Sequence, residues 1–156
     1  MRLRITLIFG MLIVSVSAAD PTPAGDLGRM QGRWETSVGK RHDFSVILDV
    51  KGSDVAATIS PKVGPKLKAI GAMQLDEAAT PRSLDWVDFS TPDGVEVPRI
   101  LSIYRLEGDR LILRSGGFND ARPRSFEAGG EGVWTDVLVF RRPPAGDKVP
   151  VVSSNR

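Results

Sequence analysis

Between Trp34 and Phe140 the apolar residues return at every second position, and no stretch keeps the three-and-four spacing of a long helix. In "GRWETSV" the residues Trp34, Thr36 and Val38 share one face, and in "FSVILDV" Phe44, Val46, Leu48 and Val50 do the same. "KGSD" at Lys51–Asp54 is a hairpin turn into a strand over Val55–Ser60, after which Pro61, Gly64 and Pro65 break the chain. Further strands are predicted near Lys68–Leu75, Ser83–Ser90, Ile100–Leu106, Arg110–Ser115 and Val133–Arg142, with "EGD" at Glu107–Asp109 as another tight turn. Asp26–Gln31 can form one helical turn with Asp26 as its cap. About eight short antiparallel strands fit a sandwich or an up-and-down barrel, and the barrel is preferred because closure removes exposed sheet edges. The expected fold is therefore all-β: an antiparallel eight-stranded barrel, just wide enough to be filled by side chains or to hold one small ligand.

The ends read differently from the middle. Arg2 and Arg4 precede an apolar run, Ile5–Val16, too short to span a bilayer, and Ser17 and Ala19 stand at −3 and −1 of a cleavage site before Asp20. Residues 1–19 are thus predicted to be a signal peptide, 20–25 a disordered leader, 26–142 the folded domain and 143–156 a disordered tail. Residues 1–19 carry two arginines and no acid, so the remainder has nineteen basic against nineteen acidic side chains. That balance gives no electrostatic reason to expect nucleic acid or an anionic membrane as partner. With no cysteine, neither a disulfide, a thiol nucleophile nor a lipidated N-terminus is available. The chain is expected to be exported and soluble, with no integral membrane segment after cleavage, and monomeric.

Reactive chemistry finds little support. The loop Ser115–Pro123 contains Gly116 and Gly117 with Arg114 and Arg122 nearby, but it lacks the lysine and following helix of a phosphate loop. Its expected role is the rim of the barrel, with Arg122, Pro123 and Phe126 latching it to the wall; "GGEG" at Gly129–Gly132 is expected to be a flexible turn. His42 is the only histidine, and without cysteines a zinc site of those two ligand types cannot be built. On a strand Asp85 and Asp88 point to opposite faces, which makes them poor partners for acid–base work, and they are expected to be outward-facing charges that keep the barrel soluble. No metal, cofactor or catalytic activity is expected.

Gly32-Arg33-Trp34 in "MQGRW" resembles the Gly-x-Trp start of lipocalin-like (calycin) barrels. That resemblance implies that Trp34 closes one end and that an arginine of the last strand packs across it. In "LVFRR", alternation with Leu138 and Phe140 points to Arg142 rather than Arg141. "LGRMQGRW", "GAMQLDEAATPRSLDW" (Gly71–Trp86), "IYRLEGDRLILRSGGFNDARPRSF" (Ile103–Phe126) and "LVFRR" together resemble a family of small exported bacterial domains, abundant in planctomycetes and described as lipocalin-like. Arg114 stands where the family often has cysteine, and Ser102 where glycine is usual. The resemblance implies no reaction.

The leading expectation is a binding module for a small, largely apolar molecule. Met73, Leu75, Trp86, Tyr104 and Leu113 are its wall candidates, Arg114 and Arg122 its polar anchors at the mouth, and Gly32, Trp34 and Arg142 its structural closure. Trp86 and Trp134 suit core filling and pocket lining equally. The alternative is a solid-core interaction or structural domain of the cell envelope that binds a protein partner.

Overall fold

The computed structural model describes residues 23–39, 41–118, 121–127 and 137–144. The expectations for residues 1–19, Gly129–Gly132, Trp134, the first part of the last strand and most of the tail fall outside them. A helix, α1 (Gly25–Met30), precedes β1 (Gly32–Val38), β2 (Phe44–Lys51), β3 (Asp54–Pro61), β4 (Leu67–Asp76) and β5 (Ser83–Ser90). The two-residue β6 (Glu96–Val97) follows, then β7 (Ile100–Glu107), β8 (Arg110–Ser115) and β9 (Val137–Arg141).

Eight of these strands close into an antiparallel up-and-down barrel. Chain neighbours pair around the wall, β7 takes the place beside β5, and β9 returns to β1 through Glu35 opposite Arg141. The short β6 hangs on the end of β5, Val97 opposite Phe89. Register sets which side chains meet inside. Trp34 faces Leu48, Met73 faces Trp86, Tyr104 faces Leu113, and Leu111 faces Phe140. All eight belong to the core or pack against it, as alternation around a closed sheet requires.

Strand direction gives the barrel two ends. β1 starts, and β2, β4, β7 and β9 finish, at the end beside α1. β1, β3, β5 and β8 finish at the other end, where the connections 62–66 and 91–95 lie.

One break in alternation shapes the interior. Ile70 opposes Ser90 while Ala72 opposes Val87, so β5 carries an extra residue at Val87–Asp88, where Asp88 takes φ 55°. This β-bulge reverses the facing of the strand. Trp86 and Phe89 thereby both reach the interior and meet edge to face, ring centres 5.9 Å apart. Gly71 accommodates them: a Cβ there would stand 2.3 Å from Phe89 Cδ2.

Three expectations need correction. The helix begins one residue early, and Asp26 lies inside it rather than capping it; Ala24 is the N-cap residue, without a side-chain cap bond. The opposite-face reading of Asp85 and Asp88 assumed unbroken alternation, which the bulge interrupts. Asp88 is exposed, but Asp85 is buried rather than a solvated outward charge.

Candidate functional site

The end beside α1 is sealed. Trp34 is fully buried; its Nε1 donates to the Met30 carbonyl at 2.7 Å, tying β1 to the helix. The Arg142 guanidinium lies 4.2 Å from the indole centre, a stacked cation–π contact. Its two nitrogens donate onward to the carbonyls of Gln31 (2.8 Å) and Arg29 (2.7 Å), which the planar fork of arginine allows. Gly32 suits the turn beside this contact through its φ of +91°, a conformation that favours glycine.

A second lock was not visible in the sequence. Asp26 turns its carboxylate inward, where it accepts from Arg82 and from the Tyr104 hydroxyl (3.0 Å), while Arg29 reaches its other oxygen at 3.1 Å. The Asp26 amide donates to Glu77 Oε1 at 2.8 Å. Burial and the Asp26 carboxylate push the Tyr104 phenol well above its ordinary pKa, so it remains a donor. Helix, 77–82 connection and barrel wall are thus joined at one buried carboxylate.

The opposite half is hollow. A cavity of about 200 Å³ has an almost wholly apolar wall, with Leu48, Leu113 and Phe140 towards its floor and Trp86 and Phe89 at one side. It reaches the surface between Leu67 and Phe118, which are 51% and 52% exposed.

Among the expected wall residues, Trp86 and Leu113 line this cavity. Met73, Leu75 and Tyr104 do not. They face inward as alternation required, but β4 and β7 are by then running towards the sealed end, so these side chains help fill it. Arg114 and Arg122 are not mouth anchors. Arg114 opposes Ile103 on the outer face and donates to the Ser125 carbonyl at 2.8 Å. Arg122 donates to the Ser102 carbonyl at 2.7 Å and stands 2.6 Å from Asp85 Oδ1, off line for a hydrogen bond. Arg99 bonds the other Asp85 oxygen at 2.6 Å. Burial alone would raise the Asp85 pKa, but the two guanidiniums outweigh it and hold the carboxyl below its usual range. Phe126 lies beneath Arg105 at 5.2 Å. Residues 121–127 are therefore fastened to the outside of β5, β7 and β8.

Sequence reasoning missed most of the true lining, including Val46, Ala57, Ile59 and Leu138. Alternation identified inward positions; selecting those nearest the open end required strand direction as well.

Among the described residues no group of three or more histidine or acidic side chains could hold a metal ion, and no helix is long and apolar enough to cross a membrane. His42 is exposed in the 39–43 turn, with φ 52°. No family model, curated protein or solved structure matches the chain. The closed eight-stranded antiparallel barrel is itself consistent with a lipocalin-like (calycin-like) fold.

Proposed function

We propose that this chain is an exported, non-catalytic lipocalin-like module that holds one small, largely apolar molecule in the open half of its barrel. The observation that carries this reading is the apolar cavity above Leu48, Leu113 and Phe140, accessible at one end and floored at the other. Pockets of this kind bind by removing apolar surface from water, with a few polar groups fixing orientation. Membership of the planctomycete-type exported family belongs to the same proposal, resting on the sequence blocks from "LGRMQGRW" to "LVFRR". Export rests on the leader-like residues 1–19. The closed sheet supports a monomer, since closure leaves fewer strand edges for a second copy. The solid-core interaction domain requires a filled interior, and the cavity weighs against it.

Native mass spectrometry of the protein purified from its own host tests the proposal. The expected result is a small molecule released on denaturation, together with binding of the apolar dye N-phenyl-1-naphthylamine that Leu113→Trp abolishes by filling the floor. A bare native mass with no dye binding would overturn it. A stoichiometric protein partner accompanying that bare mass would select the interaction domain.

A further inference from the structure

The cavity wall carries one hydrogen-bonding chain whose direction is determined. Trp86 Nε1 stands 3.1 Å from Ser102 Oγ, and Ser102 Oγ stands 2.8 Å from Ser115 Oγ. An indole N–H only donates, so Ser102 accepts from Trp86. Ser102 is fully buried, and Ser115 Oγ is the one acceptor within reach of its hydroxyl proton among the described residues. Were Ser115 to donate back instead, the Ser102 proton would be left buried without an acceptor, the arrangement folded proteins avoid. The chain therefore runs from Trp86 to Ser102 to Ser115. The last hydroxyl proton has no protein acceptor among the described residues, and Ser115 lines the cavity.

Trp86 and Ser115 carry the only side-chain donors among the described residues of the lining, and the Trp86 indole is engaged with Ser102. The Gly116 N–H, also in the lining, is taken by the Leu101 carbonyl at 2.8 Å, and Pro98 has no N–H to offer. The guanidiniums of Arg99 and Arg122 are engaged with Asp85. The cavity thus presents an apolar wall with one neutral, oriented O–H donor, already polarised by two hydrogen bonds behind it.

We propose that Ser115 is the specificity-determining residue of the site, and that it selects an apolar ligand bearing a neutral acceptor oxygen such as a ketone or ester carbonyl. This rests on the binding-module reading and adds the chemical class of ligand to it. A carboxylate is disfavoured because no free cation among the described residues lines the cavity to offset its desolvation. A pure hydrocarbon would leave the Ser115 proton unpaired.

Competition against N-phenyl-1-naphthylamine with matched probes tests this in the full chain. The probes are 2-undecanone and 2-methyl-1-undecene, which exchanges the carbonyl oxygen for a methylene group at nearly constant shape. The ketone is expected to bind about fivefold more tightly, the usual scale for one neutral hydrogen bond. Ser115→Ala should remove that preference by weakening the ketone without weakening the alkene, whose binding no longer leaves a hydroxyl proton unpaired, while Ser115→Thr, which keeps the hydroxyl, should retain it. Equal binding of both probes to the unaltered chain, or equal weakening of both by Ser115→Ala, would overturn the role of Ser115 while the cavity stands. If neither probe nor dye binds, the binding-module reading falls as well.

Discussion

At the sealed end three large side chains are tied by directed contacts: Trp34 to the Met30 carbonyl, Arg142 across the indole to two more carbonyls, and Tyr104 to Asp26. At the open end the interior surfaces of Leu48, Leu113 and Phe140 face empty space, and the directed contacts lie outside. There Asp85 takes Arg99 and Arg122, and Arg114 reaches Ser125; the Trp86–Ser102–Ser115 chain is the inward exception among the described residues. The same wall is thus locked from within at one end and held back from without at the other. A barrel can remain hollow when the segments that might cover its mouth are fastened to its outer face.

The largest effect that could break this contrast is expected at Trp34. Trp34→Ala removes a fully buried indole together with its bond to Met30, and should cost about 3–5 kcal/mol in urea unfolding. A loss below about 1 kcal/mol, the scale of an ordinary surface change, would show that the sealed end does not carry stability.

An intermediate effect is expected at Gly71, where the two halves meet. Gly71→Ala places a methyl against Phe89 and forces the ring or the bulge to shift. Overpacking of this kind costs about 1–3 kcal/mol, and here the displaced ring should also weaken N-phenyl-1-naphthylamine binding. Unchanged stability and unchanged dye affinity would contradict the packing of Phe89 over Gly71.

The smallest effect concerns the outer fastening. The Asp85 carboxyl is held below its ordinary pKa of 3.8 in the folded protein. Its contribution is therefore fully present above that value and is lost as pH falls through the lower folded value. Because both arginine partners are partly exposed, the loss in global stability should stay within about 1 kcal/mol. The readout is local: pepsin should cut within residues 116–127 increasingly below about pH 4, and Asp85→Asn should give similar cutting, by a protease active at neutral pH, already at pH 7. Cutting that is independent of both pH and Asp85 would remove this pair from the account.

Much of the barrel was legible because period-two alternation survives in nearly every strand. Trp34, Gly32 and Arg142 were legible because they sit in a short local pattern. The bulge at Val87–Asp88 was not, since no glycine or proline marks it; what stabilises it is the space above Gly71, two strand-lengths of sequence away. Asp26 read as a helix cap because aspartate caps helices more often than it fills cores, and its true partners, Arg82 and Tyr104, are far along the chain. Arg114 and Arg122 were mistaken for mouth anchors for a related reason. Proximity to a glycine-rich loop says nothing about which side of the wall that loop takes, and Ser115 passed unnoticed because a hydroxyl gains meaning only once its neighbours across the sheet are known.

Crystals of the protein pressurised with xenon test the central contrast most directly, since xenon enters apolar voids and leaves packed interiors empty. Xenon density is predicted among Leu48, Trp86, Leu113 and Phe140, with none beside Met30 or Trp34. Density against Trp34, or no site in the open half, would contradict the account.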